Sequence, residues 1–528
     1  MINSFKSPSD EGVVRSQPAC PQRVPDKGMW VLIATILGSS MASIDGSIVN
    51  IALPVIQRDF NATSADMQWV VEVYLLFLSA LILVGGSLGD HVGRKRIFAL
   101  GIGIFILASM WCGLSSTTLS LIFARAVQGI GGALLIPGSL ALISASFDET
   151  RRGKAIGTWA GFTSVTSVIG PAVGGWLVQA ASWHWVFFLN VPLGMIVLGV
   201  LFWHIPESRN QQATGRLDGW GALLATLGLG GVVFGLIEAG NLGLEHPLVL
   251  GTLIGGLIAL GIFILVEALL QTPMVPLALF RSSTFSGCNL LTFLLYAALG
   301  SALYFLPFNL IQVQGYSTAT AGLALTPFAF TMFLLSRWTG GLVKRFGAKL
   351  PLIIGPTITA ISFVLFALSH IGGNYWLTFF PAVLTMSIGM SITIAPLTTT
   401  VLGSVSQDNA GTASGINNAI SRTASLLAIA VLGIVITSVF SRSLDDQLAM
   451  LKLPTQIHQQ IKMQQGKLAG IVIPKEVNNQ LRDAIKRAIN EAFINGFHSV
   501  MLICAGLALT SAAIAWLMIK DSSKPADE

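Results

Sequence analysis

Long apolar stretches separated by short polar segments make up most of the chain from residue 29 onward. Each stretch holds about 20 residues, the length that an α-helix needs to cross the hydrocarbon core of a bilayer. The pattern predicts an all-α polytopic membrane protein. The fourteen predicted transmembrane helices are residues 29–52, 66–88, 97–115, 119–144, 155–179, 184–204, 218–239, 248–270, 284–312, 318–340, 350–370, 375–401, 411–440 and 495–519.

Lysine and arginine are distributed unevenly between the two predicted sides of the membrane. An even number of crossings places both termini on one side, and nearly all Lys and Arg of the short segments fall on that side. The short loops on the other side carry only Arg58. Because short basic loops remain in the cytoplasm, we expect residues 1–28, a polar disordered tail, and residues 520–528 to be cytoplasmic.

Composition supports a membrane protein and excludes several other classes. The chain is 53% hydrophobic and 10% charged, against about 25% charged residues in an ordinary soluble protein. Its net charge of +6 reflects basic loops, so no nucleic-acid partner is expected. The four cysteines show neither metal-ligand spacing nor a disulfide framework, and no metal site is predicted.

A glycine-rich charged turn, Gly86 to Arg96, separates the second and third predicted helices. This turn contains one acid, three bases and regularly spaced glycines, and a simple connection between helices requires none of these. A similar turn at 340–349 has Lys344 where the first has Asp90. The repeat predicts two parallel six-helix halves with two inserted helices between them. The predicted parts are residues 29–204, the inserted helices with their linker at 205–270, and residues 271–519, which include a long outer loop at 441–494.

Within that outer loop, apolar residues recur every four positions from Val477 to Phe493, beside Arg482, Lys486 and Arg487. This spacing predicts an amphipathic helix. Three arrangements suit it: a helix on the outer membrane surface, a cap on the bundle, or a solvated spacer.

Five motifs resemble those of one transporter family. The charged turn matches G-x-L-x-D-x-x-G-R-K, and four further segments match in helices 1, 4, 5 and 6. Together they resemble the major facilitator superfamily, specifically its fourteen-helix drug:proton antiporters. His184 replaces the usual arginine of the helix 6 motif, and the second charged turn lacks its acid. The matching segments are Gly86–Lys95, Asp45–Pro54, Leu121–Gly132, Gly170–Gly175 and Trp183–Pro192.

The resemblance implies the major-facilitator fold and a proton-coupled exporter of amphipathic, often cationic compounds, a multidrug-efflux function associated with antibiotic resistance. It implies a bacterial inner-membrane location, small amphipathic substrates, protons and lipid as partners, and leaves a periplasmic adaptor open. It implies no enzymatic activity and no cofactor. The P-loop pattern is absent, so a proton gradient is the expected energy source. Alternatives are a dedicated exporter of an endogenous metabolite, peptide or lipid and, more remotely, a membrane-embedded sensor or enzyme.

Three charged residues inside predicted helices are candidates for proton coupling: Asp45, Glu72 and Arg125. Charges in lipid-spanning segments are costly and usually functional. Burial penalises the charged form of a carboxyl group, so Asp45 can take up and release a proton. Arg125 requires an acidic partner, which Asp45 or Glu72 could supply. For each residue a structural ion pair, or for Glu72 contact with interfacial water, is the alternative.

Further candidates follow from the resemblance. Gly86, Asp90, Gly93, Arg94 and Lys95 would form a conformational latch on the inner face, the alternative being a solvated turn. Gly170, Pro171, Gly174 and Gly175 would form the antiporter packing motif of helix 5, where glycines allow close helix packing. The possible substrate path comprises Tyr304, Gln312 and Arg422.

Overall fold

In a computed structural model of the chain, the residues described are 27–209, 218–270, 273–339, 341–406, 410–451, 453–474 and 477–520. They form nineteen α-helices, and no strand occurs among them. Most of both predicted tails, and most of the linker that precedes the inserted helices, lie outside the described residues. The all-α polytopic architecture expected from the apolar pattern is confirmed.

The first half of the molecule consists of seven helices. Helices α6 and α7 follow each other directly and together form the sixth crossing. The seven helices are α1 (Lys27–Asp59), α2 (Ser64–Val92), α3 (Arg94–Gly113), α4 (Thr118–Ser146), α5 (Glu149–Ala180), α6 (His184–Phe188) and α7 (Asn190–His204).

An inserted pair, α8 (Gly219–Leu242) and α9 (Pro247–Leu269), follows the first half. The two helices pack closely, since an added Cβ at Gly256 would lie 2.6 Å from the backbone nitrogen of Val232. Near the end of α9, the buried Glu267 accepts a hydrogen bond from the backbone N–H of Val275 at 2.9 Å. This contact holds the start of the connection to the second half.

The second half contains the remaining ten helices. A π-helical turn, Asn309–Val313, extends the first of them. The ten are α10 (Ser283–Phe308), α11 (Thr318–Ala324), α12 (Thr326–Thr339), α13 (Leu342–Phe346), α14 (Lys349–Ala367), α15 (Tyr375–Thr378), α16 (Phe380–Gly403), α17 (Ala410–Met450), α18 (Thr455–Lys462) and α19 (Asn479–Met518).

Two hydrogen bonds establish which helix ends share a side of the molecule. Gln312, just after α10, donates to Gln57 near the end of α1. Ser283, at the start of α10, donates to the carbonyl of Met518 at the end of α19. The start of α1 and the end of α19 therefore lie on one side, which we call the terminal face. The opposite side is the distal face.

The number of membrane-crossing helices nearly equals the fourteen expected. Among the described residues, thirteen helices are long and apolar enough to cross a membrane. The fifth predicted crossing is not among these thirteen, but it is one continuous helix, α5, of 32 residues.

The charged-turn repeat is visible in the backbone. Gly93, between α2 and α3, has φ +132°, and Gly347, between α13 and α14, has φ +76°. Both glycines occupy the same position in the two related turns, and only glycine adopts such angles without strain. The backbone therefore supports the two-fold repeat that the sequence suggested.

On the distal face, two helices are much longer than the sequence analysis predicted. Helix α17 has 41 residues and α19 has 40; at about 1.5 Å per residue each is roughly twice as long as a hydrocarbon core is thick. Their extensions occupy much of the predicted outer loop. In the predicted amphipathic helix, Ile485, Ile489 and Phe493 are buried in the main hydrophobic core, so this segment caps the bundle.

Residues 453–474, which we call the distal strap, connect these extensions across the distal face. The side chain of Gln57 in α1 donates to the strap carbonyl of Lys467 at 3.2 Å. On the other side, Gln465 donates to Asp445 of α17 at 2.8 Å. The strap therefore contacts both halves of the molecule.

Replacing Gly131 with alanine tests the tight crossing of α3 and α4. An added Cβ would lie 2.7 Å from the backbone nitrogen of Phe105, so the helices would have to separate. We expect the free energy of unfolding in detergent to fall by about 1–3 kcal/mol. Gly103→Ala is the control, because a Cβ there meets nothing within 4 Å. Equal thermal unfolding midpoints for the two variants would contradict the prediction.

Candidate functional site

A buried ion pair joins α1 to α4 inside the first half. Nη1 of Arg125 lies 2.5 Å from Oδ2 of Asp45, and the two side chains are 1% and 0% exposed. The sequence left Asp45 and Glu72 open as partners of Arg125, and the structure forms the pair with Asp45. An isolated charge at such a position would be very costly, so each residue requires the other.

Two side-chain amides complete the surroundings of the Asp45 carboxylate. Oδ1 accepts hydrogen bonds from Gln128 at 2.8 Å and from Asn190 at 3.0 Å. Both amides also donate to the hydroxyl of Ser109 in α3. We call Asp45, Ser109, Arg125, Gln128 and Asn190 the Asp45 network. An ionised carboxylate only accepts hydrogen bonds, and three donors directed at Asp45 therefore fit its deprotonated form.

Arg125 has further partners that do not depend on Asp45. It donates to the side-chain oxygen of Gln128 at 2.7 Å and to the backbone carbonyl of Val70 at 3.1 Å. Its guanidinium also lies 4.1 Å from the ring centroid of Tyr74, a cation–π contact. The arginine thus has other contacts available if its bond to Asp45 is broken.

Sequence reasoning missed three members of this network. Gln128 and Asn190 lie within the motifs quoted for helices 4 and 6, and a polar amide in an apolar segment was the available signal. Ser109 lies in an apolar run with no distinguishing pattern. Its role becomes visible only where α3, α4 and α7 meet.

Glu72 lies in α2 and contacts a different part of the molecule. It is 0% exposed, and neither carboxylate oxygen has a hydrogen-bond partner among the described residues. The hydroxyl of Tyr304 in α10, within electrostatic range of Glu72, is also buried and without a described partner. A buried carboxylate with no hydrogen bond is costly, and a proton or a cationic ligand removes that cost.

The other two predicted substrate-path residues lie apart from one another. Arg422 in α17 lies near Tyr74 of α2 and Tyr296 of α10, one residue from each half of the molecule. Its Nε is buried without a hydrogen-bond partner in the described part of the chain. Gln312 lies on the distal face, where it donates to Gln57 at 2.8 Å.

The charged turn on the terminal face is held by an ion pair of its own and by the linker that follows the first half. Asp90 pairs with Arg94, one helical turn away, at 2.7 Å. A second acid, Glu207, accepts hydrogen bonds from the backbone N–H groups of Lys95 and Arg96 at 3.0 and 3.3 Å. These groups begin α3, where the helix dipole favours an anion. Glu207, an acid just after the sixth crossing, was not among the residues predicted from the sequence.

The helix 5 motif packs on both halves of the molecule. An added Cβ at Gly170 would overlap the Ser47 hydroxyl of α1, and one at Gly175 would overlap the Thr318 carbonyl of α11. Thr318 also donates its hydroxyl hydrogen to the carbonyl of Gly175 at 3.0 Å. The motif therefore lies where α5 meets a helix of the other half, which agrees with a sealing role.

Replacing Asp45 with asparagine should destabilise the protein, because the buried Arg125 loses its counter-charge. Breaking a buried pair in this way costs about 3–5 kcal/mol. The double variant with Arg125→Met should recover much of this loss. Thermal unfolding of the purified variants measures both effects, with Asp446→Asn, an exposed acid of α17, as the control. A single Asp45 variant as stable as the parent would contradict the charge balance described here.

The chain resembles known membrane transporters over most of its length. A family model described as Major Facilitator Superfamily matches residues 35–429. The chain is 29% identical over 506 residues to the tetracenomycin C resistance and export protein of Streptomyces glaucescens, covering 94% of each. It is 30% identical to the multidrug resistance protein Stp of Mycobacterium tuberculosis, over 92% of this chain and 91% of that protein. It is 32% identical to a methylenomycin A resistance protein of Bacillus subtilis, over 78% of this chain and 88% of that protein.

Among solved structures, a bacterial homologue of the human lysosomal transporter Spinster has a similar fold, with a TM-score of 0.66. The alignment covers 94% of this chain and all of that one, at 16% sequence identity. The predicted fold is thus confirmed over nearly the whole chain.

Proposed function

The chain belongs to the major facilitator superfamily and to its drug-efflux transporters, and we propose that it is an antiporter that exchanges protons for amphipathic, often cationic compounds. The observation that carries the proposal is the Asp45 network. It offers one buried carboxylate that can accept a proton, next to an arginine that keeps other contacts when the proton arrives. The names of the relatives, which refer to drug resistance and export, support the export of drugs.

Protonation of Asp45 would rearrange the network. Protonation replaces one acceptor lone pair of the carboxylate with an O–H group and removes its charge, while the structure directs three donors at it, so these contacts weaken. The bond to Arg125 loses its charge attraction and is the one most weakened. Arg125 then remains held by the Val70 carbonyl, the Gln128 amide oxygen and the Tyr74 ring.

Helix α1 provides a direct route from this event to the contact between the halves. Within one turn of Asp45, Ser47 and Ile48 pack against Gly170 and Gly174 of α5. One residue further, Gly175 packs against α11 of the other half. A shift or rotation of α1 upon protonation would therefore alter the packing of α5 at the interface. Alternating access requires such a connection between proton site and interface.

Glu72 suits the recognition of a cation. Its buried carboxylate and the nearby Tyr304 hydroxyl both lack described partners, and aromatic rings of Phe305 and Phe308 lie 4.9 and 5.6 Å from the Tyr304 ring. A lipophilic cation would gain charge attraction from the acid and apolar contact from the rings. A second proton is the other occupant that chemistry allows.

The proposal includes an orientation and an energy source. The basic segments of the terminal face would lie in the cytoplasm of a bacterial inner membrane. Moving one charge across 100 mV supplies about 2.3 kcal/mol, and a pH difference adds to this. Exchange of a proton for a substrate is therefore energetically sufficient without a nucleotide.

Transport in proteoliposomes with an imposed pH gradient tests the proposal. The wild type should accumulate tetraphenylphosphonium, a lipophilic cation, against its gradient, and a protonophore should abolish this accumulation. Asp45→Asn/Arg125→Met, chosen so that the charge balance is kept, should lose the dependence on the pH gradient. Asp446→Asn should transport like the wild type.

Glu72→Gln should weaken the apparent affinity for the cation, because the variant removes the carboxyl group that would pair with it. Glu245→Gln, an exposed acid on the distal side, is its matched control. Undiminished gradient-driven uptake by the Asp45/Arg125 double variant would contradict the assignment of Asp45 as proton carrier. Accumulation of one native compound in cells lacking the protein, with unchanged drug tolerance, would favour a dedicated metabolite exporter.

A further inference from the structure

A cavity of about 200 Å³ lies beneath the distal strap, and the Asp45 network does not involve it. Its apolar wall includes Ala469 and Ile471 of the strap and Ile489 of α19. Its polar wall includes Arg482, Lys486 and Asn490 of α19. The volume corresponds to about six or seven water molecules, enough for a small organic ligand.

The charged side chains that line this cavity in the described part of the chain are both basic. Arg482 and Lys486 are four residues apart on α19 and therefore lie on the same helix face. None of the described residues that line the cavity is acidic. Arg482 is half-buried and donates to the carbonyl of Pro474 at 3.2 Å, which directs it towards the strap. Lys486 is exposed at the cavity. Two cations beside an apolar wall suit an amphipathic anion.

The cavity lies next to the contact that joins the two halves. Gln312, which lines it, donates to Gln57 of α1, and Gln57 in turn donates to the strap carbonyl of Lys467. In the strap, Leu468 adopts φ +53°, an unfavourable angle for this residue, and its side chain is buried in the core. Such a backbone angle persists only where the surrounding packing fixes it, so the strap has a defined conformation here. A ligand in the cavity would contact the strap, α19 and the Gln57–Gln312 junction together.

We propose that this cavity binds a small amphipathic anion, such as a carboxylate with a short apolar chain, and that binding stabilises the distal contact between the halves. The anion group would lie between Arg482 and Lys486, and the apolar part would lie against Ile471 and Ile489. Lys486 precedes the predicted membrane segment at 495 by nine residues, about 13 Å of helix. The ligand therefore enters from the aqueous phase.

Thermal unfolding of the purified full-length protein in phosphatidylcholine nanodiscs, titrated with octanoate, tests the proposal. Octanoate should raise the unfolding midpoint of the wild type as a saturable function of concentration. Octanamide, which has the same shape without the charge, should have a much smaller effect. Lys486→Gln should weaken the apparent octanoate affinity at least about threefold, because it removes one of the two cations and leaves Arg482 to hold the strap.

Lys462→Gln is the matched control, since Lys462 is an exposed lysine of α18 that does not line the cavity. This variant should bind octanoate like the wild type. Equal octanoate affinity of Lys486→Gln and wild type, or an equal response to octanamide, would overturn the proposal. A response to inorganic phosphate as strong as that to octanoate would overturn the amphipathic part. A response only when phosphatidylglycerol is added to the discs would overturn the aqueous route, since it identifies a lipid ligand.

Discussion

The ion pair between Asp45 and Arg125 is the interaction on which the rest of the first half depends. Neither charge is tolerable alone in an apolar interior, and the pair still needs further hydrogen bonds to satisfy its remaining polar atoms. Those bonds come from Ser109, Gln128 and Asn190, so α1, α3, α4 and α7 must meet at one level. The fold of this half is therefore constrained by the chemistry of one carboxylate.

Close helix packing connects that site to the remainder of the molecule. Glycines in α5 allow α1 on one side and α11 on the other to approach so closely that no side chain would fit. Such packing leaves little freedom for independent movement, because cores of this kind rearrange between discrete arrangements instead of deforming smoothly. A change of charge at Asp45 therefore occurs two residues from Ser47, which packs on α5, and α5 in turn contacts α11 of the other half.

The two faces of the molecule are stabilised by different means. On the terminal face, the charged turn is held by Asp90 of the first half and by Glu207 of the linker that follows it. On the distal face, the strap and the Gln57–Gln312 bond join the halves to one another. The distal contacts include the neutral Gln57 and Gln312 bonds, apolar packing and one bond from the Lys467 ammonium group to Asn61, and a neutral bond contributes only about 1 kcal/mol. They are therefore strong enough to favour one arrangement and weak enough to break during a transport cycle.

The sequence alone determined the membrane class, the approximate crossings, the repeated turn and the candidate charges, because lipid demands long apolar helices and makes every intramembrane charge conspicuous. It did not determine which acid meets Arg125, since Asp45 and Glu72 both lie in neighbouring apolar segments. It also missed Ser109 and Glu207, and the long extensions of α17 and α19. These depend on how distant helices rotate and pack against each other, as where Asp45 meets Asn190, 145 positions further along the chain, and not on local pattern.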